Sequence, residues 1–566
     1  MWKRWLSLTL ILAITLSGVG GRVEARSYDE SKVDPGLLRQ ALADPEADYD
    51  VIVRSVPDQK KTKAQRDDRG RRAGDEVQKA GGKPKHVLGI VGGASATLSG
   101  KALLDLSNSS AVDYVFADVK FTAQWDPVAD AANATSPGLL SINAPLAWAS
   151  YNVAGRGIGV AVVDSGVAAH PDLGDRIVAA IDFTQAAPTV SASPLGDPGG
   201  HGTHVAGLVA GDGTSSGGAI TGVAPGANII DVRVIDANGS SNTSVVLRGL
   251  QWILRNKSTY NVKVVNLSLG APVTKSYKLD PLATAVEVLT FAGVTILVSA
   301  GNSGSEGGTI TSPANDPFVI SVGAIDDAQT AATLDDTIAS FSSRGRTAYD
   351  SLTKPDVSAP GRRMVSLRSP GSTLDTQYPE RRVDGTDGGP GYFTLSGTSM
   401  AAPVVAGTVA LMLERNPTLA PNQVKKRLKS GASDVSGLSV QAQGAGRIDV
   451  AATLGAIGTD REYAGGRVSD SFAKDMRRFI EGQPLVWKDL GYNGGVDSHN
   501  VTWEGITWEN ITWDNVTWEN ISWENLTWEG ITWENITWEG ITWESVDDLN
   551  VGALSGSGTS GWAPLD

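Results

Sequence analysis

The chain contains no cysteine. That excludes a disulfide framework, a thiol nucleophile and thiolate-bound zinc, so stability outside a cell must come from packing, bound ions or oligomerisation. Histidine and methionine are scarce, with five of each in 566 residues. Aromatic residues make up only 6%, and nine of the 16 tryptophans fall within residues 501–545. Basic residues disappear toward the end: beyond residue 490 there is no Lys or Arg but there are thirteen Asp or Glu. The net charge of -14 thus belongs to the tail, because residues 1–490 carry 48 basic and 49 acidic groups. No basic face is left to hold nucleic acid.

What is present suffices for several folded units. The length implies more than one domain at roughly 100–200 residues each, and 41% hydrophobic residues can bury a sizeable core. Lys3 and Arg4 precede an apolar stretch over residues 5–16, and Val23 and Ala25 offer small residues for cleavage, so residues 1–25 read as a secretory signal peptide. The alternative is an uncleaved anchor helix. Residues 26–48 are polar and read as a lead-in. Over 49–122, strand patterns at 49–53, 85–91 and 112–120 interleave with helix patterns at 60–79 and 100–107, which predicts a small α+β domain. Residues 123–137, with Pro127 and Pro137, form a linker.

From 138 to 457 the pattern changes. Apolar runs at 159–163, 229–234, 262–267 and 295–298 alternate with helix patterns at 244–256 and 282–292. Continuous aliphatic runs mark parallel strands buried on both faces, so this is an α/β domain with a mostly parallel sheet. Its chemistry belongs at the carboxyl ends of the strands. Residues 458–500 have no clear period. Nine pentapeptides follow over 501–545, each aliphatic, Thr/Ser, Trp, Glu/Asp, Gly/Asn/Ser, and residues 546–566 are Gly/Ser-rich. A period of five would alternate Trp between the faces of one long strand, whereas turns at Gly or Asn would give short strands coiled into a solenoid. Exposed Trp must stack on one another or on a partner, so the repeats are either a self-packing cap or an attachment to a cell-surface or polysaccharide ligand. The Asn-x-Ser/Thr sequons there follow from the repeat itself.

Four segments carry chemistry-bearing residues. Val162-Val163-Asp164-Ser165-Gly166 puts a carboxylate after a buried strand. Gly200-His201-Gly202-Thr203-His204 opens a helix with two histidines, the usual general base near neutrality. Val298-Ser299-Ala300-Gly301-Asn302-Ser303-Gly304 places an amide donor past another strand. Ser396-Gly397-Thr398-Ser399-Met400 sets a hydroxyl at a helix start, where unpaired N–H groups point. Taken singly, each has an ordinary explanation as a cap or a turn. A metal pair is the competing reading of the histidines, but the spacing is His-x-x-His with no Glu between.

Together these stretches resemble the subtilisin-like serine peptidase family, the subtilases. Further similarities are Asn266-Leu267-Ser268-Leu269-Gly270, Gly222-Val223-Ala224-Pro225, Phe341-Ser342-Ser343-Arg344-Gly345 and Lys354-Pro355-Asp356-Val357-Ser358-Ala359-Pro360-Gly361. The resemblance covers about 138–457, and it implies a three-layer domain with a mostly parallel central sheet. It also implies a catalytic triad of Asp164, His201 and Ser399 in the chain order of subtilisin, with Asn302 as oxyanion donor. His204 is expected to make a structural hydrogen bond. Ser268, Leu269, Gly270 and Gly239 match strand edges that bind substrate, and Ser299, Ala300 and Gly301 form a wall of small residues that admits a large apolar P1 side chain. Residues 49–122 resemble the family's inhibitory propeptide, with a self-cut within 120–138. Asp172 matches a calcium-ligating position, although the Gly211–Gly218 loop lacks the expected Asn-containing turn. No cofactor is implied for catalysis. The expected function is a secreted serine endopeptidase of broad specificity, acting on proteins or peptides through an acyl-enzyme. An inactive scaffold or adhesin of the same fold is the alternative.

Overall fold

Two kinds of sheet divide the chain. The computed structural model describes residues 28–56, 65–123, 138–386, 391–435 and 437–456, with Ser469 and two short tail strands. The expected signal peptide and most of the linkers and tail lie outside the described residues.

The first unit runs α1 (Pro35–Ala43), β1 (Asp48–Ser55), α2 (Gln65–Lys79), β2 (Lys83–Leu88), β3 (Gly93–Ser99), α3 (Gly100–Ser107) and β4 (Val112–Ala117). Its strands lie in the order β2-β3-β1-β4, antiparallel throughout. Alternation in β1 sends Val51 and Val53 into a core shared with Val77, Leu103 and Leu106, while Ile52 faces the other way with Tyr114 and Phe116. Two features differ from expectation. The lead-in holds α1, whose Leu37 and Ala41, four apart on one helical face, belong to this core. Asp34 caps it by accepting from the Gly36 and Leu37 N–H groups, and Pro35 starts it. Strand β3, Gly-Ala-Ser-Ala-Thr-Leu-Ser, has weak strand propensity and forms because β2 and β1 pair on both its edges.

The second unit carries β6 (Gly159–Asp164), β7 (Ile177–Asp182), α4 (His201–Ala210), β8 (Asn228–Arg233), α5 (Thr243–Asn256), β10 (Val262–Leu267), α6 (Pro281–Phe291), β12 (Thr295–Ser299), β13 (Ile320–Asp326), β14 (Val357–Pro360) and α7 (Thr398–Arg415). Three short strands, β5 (Lys120–Ala123), β9 (Ser240–Asn242) and β11 (Leu269–Gly270), stand apart from the main sheet. The main order is β13-β12-β10-β6-β8-β7, all parallel, with β14 also parallel to β13 and Thr337–Ile338 adding an antiparallel edge. Successive residues of β6 feed opposite layers. Val160 and Val162 join α4 and α7 through Val205, Val209 and Val405. Ala161 and Val163 join α5 and α6 through Val246, Leu250 and Leu289. The result is helix–sheet–helix, with α7 buried all round from Thr398 to Leu413.

The first unit docks on the α5–α6 layer, where Ile52, Ile90 and Phe116 share its apolar cluster. The Gln251 carboxamide oxygen accepts from Ile90 N at 3.0 Å. Asp118 accepts from Ser244 N at 2.8 Å and Ser244 Oγ at 2.6 Å, capping α5 across the interface. Among the described residues no helix is long and apolar enough to cross a membrane. In the tail, Thr517–Glu519 and Thr537–Glu539 pair in parallel with Trp518 opposite Trp538, so pairing joins units four repeats apart.

Candidate active site

Asp164 ends β6, at the carboxyl rim of the parallel sheet. Its Oδ1 accepts from Ser165 N at 2.8 Å and lies 2.7 Å from His201 Nδ1. A carboxylate can only accept, so Nδ1 carries the proton and Nε2 is the basic nitrogen. His201 is the first residue of α4, and Gly202 lets that helix approach the Asp164 loop. A Cβ on Gly202 would collide with the Gly166 carbonyl oxygen and crowd Asp164 Cβ at 3.1 Å.

A second carboxylate, which the sequence reading missed, braces this pair. Asp197 is buried, and its Oδ1 accepts from Ser165 Oγ at 2.8 Å and Gly200 N at 2.7 Å. Its Oδ2 accepts from Thr203 N at 2.8 Å and Thr203 Oγ1 at 2.7 Å. Ser165 Oγ in turn accepts from Gly202 N at 2.9 Å, so the Asp164 loop and the α4 start are tied together. Burial pushes the Asp197 carboxyl above its usual range, against the four bonds that favour its charge. The available signal was an acid four residues ahead of a helix start. His204 points the other way: its Nε2 lies 3.0 Å from both Met364 O and Phe393 O, so it donates there and takes no part at the rim.

Ser399 is the second residue of α7 and is buried. Its hydroxyl donates to Ser268 O at 3.0 Å, and Ser268 Oγ donates to Ser399 O at 2.9 Å. Among the described residues His201 Nε2 is buried without a hydrogen-bond partner. The Asp–His half is therefore assembled, while the hydroxyl is turned onto Ser268 instead of the imidazole; α4 and α7 pack together behind them. Asn302 Oδ1 accepts from Thr398 N and Thr398 Oγ1, each at 2.9 Å. That pins the amide and leaves Nδ2 buried with no partner among the described residues, beside the start of α7. A free donor, a free base and a hydroxyl at a helix N-terminus are the parts that acyl transfer requires.

The strand edges flank the same rim. β5 of the first unit lies antiparallel between β11 and β9. Leu269 and Gly270 pair with Ala123 and Thr122, and Gly239 O accepts from Ala123 N at 3.1 Å. Ser299, Ala300 and Gly301 continue from the end of β12 and are buried. Gly301 sits at φ +114, and its N–H donates to Thr398 Oγ1 at 3.2 Å.

Asp172 lies apart from this rim. Its Oδ1 accepts from Ser215 N and its Oδ2 from the Tyr392 hydroxyl, both at 2.8 Å. Burial favours the neutral acid, but the donors around it win and hold the carboxyl at about 2. Each oxygen of the Asp172 carboxylate thus already accepts one hydrogen bond. Among the described residues no group of three or more His, Cys, Asp or Glu is placed to hold a metal ion.

An α/β sheet carries an acid–imidazole pair at its carboxyl rim and a buried hydroxyl at the start of α7. Residues 155–447 match the model of the subtilase family, peptidase S8. The chain is 42% identical over 300 residues to serine protease AprX of Bacillus subtilis (strain 168), covering 52% of this chain and 65% of that protein, just under two thirds of its length. It is 32% identical over 441 residues to subtilisin E of the same organism, covering 76% of this chain and 94% of that protein. Fervidolysin from Fervidobacterium pennivorans, a keratinolytic enzyme related to subtilisin, superposes with a TM-score of 0.56 at 26% identity, over 73% of this chain and 61% of that one. The chain belongs to the subtilase family of serine endopeptidases.

Proposed function

We propose that the protein is a secreted endopeptidase of broad specificity, made as a precursor and matured by its own active site. The reading rests on one observation: a base held by Asp164 at 2.7 Å, with its other nitrogen free, at the rim that also carries Ser399 and the unpaired Asn302 amide. Ser399 attacks the scissile carbonyl after its hydroxyl turns from Ser268 to His201. His201 takes the proton and returns it to the leaving amine, and Asp164 stabilises the imidazolium. Asn302 Nδ2 and the Ser399 N–H hold the oxyanion. Substrate binds as an added strand between Ser268–Gly270 and Gly239–Ser241, through main-chain bonds that any extended peptide can make. The small residues Ser299, Ala300 and Gly301 admit a large side chain at P1.

The first unit acts as inhibitor and folding partner, since it lays β5 along the edges a substrate would use. Treating the product with a serine-directed covalent inhibitor and, separately, with a chelator tests the reading. Loss of peptidase activity with the first alone is expected. Ser399→Ala is expected to cut turnover by about 10⁶, the size known for the equivalent loss in subtilisin itself. Activity that survives in Ser399→Ala would remove the proposal.

A further inference from the structure

Residues 197–200, which lead into His201, are gripped by a segment far away in the chain. Ser369 Oγ donates to Asp197 O at 2.8 Å. Thr373 N donates to Pro198 O at 2.8 Å, and Leu374 N donates to Gly199 O at 3.1 Å. Three successive carbonyls therefore find their donors within residues 369–374. Gly200, at φ +94, opens α4 without a side-chain cap of its own, and a Cβ there would collide with Ser372 Oγ. From the inner side the Asp197 carboxylate already holds Gly200 N and Thr203 N. The stretch that carries His201 onto Asp164 is thus clamped from two directions.

Asp375 sets the shape of the outer clamp. It is buried in the short helix Thr373–Gln377. Its Oδ1 accepts from Arg368 Nε at 2.6 Å and Arg382 Nε at 2.8 Å. Its Oδ2 accepts from Gly371 N at 2.8 Å and Arg368 Nη2 at 3.1 Å. Arg382 Nη2 also donates to the Asp375 carbonyl at 2.9 Å, and Asp375 N donates to Ser372 Oγ at 3.3 Å. One carboxylate thus draws the start of the turn at Arg368, its left-handed glycine at Gly371 (φ +77) and the helix into one unit. The same turn follows the strand Met364–Leu367, which pairs with Tyr392–Leu395, and that strand ends four residues before Ser399. Burial alone would push the Asp375 carboxyl up, but the Arg368, Gly371 and Arg382 donors prevail and hold it at about 2. It therefore stays charged wherever an imidazole can act as a base.

On the serine-peptidase reading above, we infer that Asp375 is a positioning residue for His201. It fixes the 369–374 turn, and the turn holds residues 197–200 where the imidazole meets Asp164 at 2.7 Å. It acts through that backbone and not on the reacting atoms. Removing it takes the anion from between Arg368 and Arg382 and leaves Gly371 N without its acceptor. The turn then loosens, and the three carbonyl bonds loosen with it. The edges proposed for substrate, Ser268–Gly270 and Gly239–Ser241, stand on other elements. The loss therefore falls on proton transfer and spares peptide binding.

Steady-state kinetics on a peptide amide, using enzyme matured from the full chain, test the assignment. Asp375→Ala is expected to lower kcat about 10²-fold with KM unchanged, the order of loss that a misplacement of about 1 Å produces. Inactivation by a small sulfonyl fluoride, which needs the base but not the peptide groove, is expected to slow by the same factor. A folded Asp375→Ala with wild-type kcat, or one whose loss lies in KM alone, overturns the assignment. Thr373→Pro is a gentler probe. Proline is accepted at the first position of a helix, and Ser372, at ψ 167, has the extended backbone that a residue before proline adopts. The change removes only the N–H that reaches Pro198 O, and kcat is expected to fall about tenfold. An unchanged kcat in this variant also overturns the assignment, and it decides alone if Asp375→Ala does not fold. Activity that survives Ser399→Ala removes the serine-peptidase reading instead.

Discussion

Asn302 shows how a side chain becomes useful by being held at one end. Its oxygen is fixed by two donors of Thr398, so its amide nitrogen has no freedom left and no partner among the described residues. Asn302→Ala is expected to lower kcat about 10²–10³-fold with little change in KM, the loss known for the same donor in subtilisin; steady-state kinetics on a peptide ester would check it. His204 leads to a different measurement. Burial, with His201 nearby, pushes its pKa from 6.5 down to about 3, so the folded protein refuses a proton that the unfolded chain accepts. Stability is whole above about 6.5 and falls as pH drops from there toward 3, by roughly 1.4 kcal/mol per pH unit from this group. Denaturant titrations of Ser399→Ala across that range should show the decline, and His204→Gln should flatten it. The residue types of the rim were legible because chemistry restricts them. Asp197 was not, since an acid ahead of a helix reads as a cap until its four bonds are seen.

Among the helices and strands, α5 is the one the first unit holds directly. Its N-terminal N–H groups need acceptors, and Asp118 supplies them from another part of the chain. Asp118→Ala removes that cap at a cost of about 1 kcal/mol. The first unit should then leave sooner, read as a shorter lag before peptidase activity appears during maturation. The long aliphatic strands, α5 and α6 could be placed from the sequence within a residue or two, because continuous apolar runs admit few alternatives; α7 begins six residues ahead of the apolar run 404–413 that marks it. Strand β3 and the strand β5 could not. Both are short or built of small residues, and each exists because two neighbouring edges pair with it.

The protein as a whole has two cores joined by a third contact. Apolar residues of the first unit and of the α5–α6 layer form one cluster, so docking buries surface that release must expose. Ser215 N and the Tyr392 hydroxyl each donate to the Asp172 carboxylate, tying together segments far apart in the chain. A chelator is expected to leave the melting temperature of Ser399→Ala unchanged. Tyr392→Phe is expected to cost roughly 1.5–3 kcal/mol, the range for a hydrogen bond to a charged group. A melting temperature that drops with chelator would show that a bound ion supports the fold.

Apolar periodicity pointed to the α/β class and the order of the units, and the motifs' resemblance to the subtilases marked which acid, imidazole, amide and hydroxyl to watch. Those are properties of local pattern, and the chain states them directly. Only the folded structure decided that the Ser399 hydroxyl rests on Ser268, that Asp197 ties the Asp164 loop to α4, and that residues 120–123 fill the groove in one register. Each of these joins segments far apart in the chain, and their meeting is set by how whole layers pack rather than by any window of sequence.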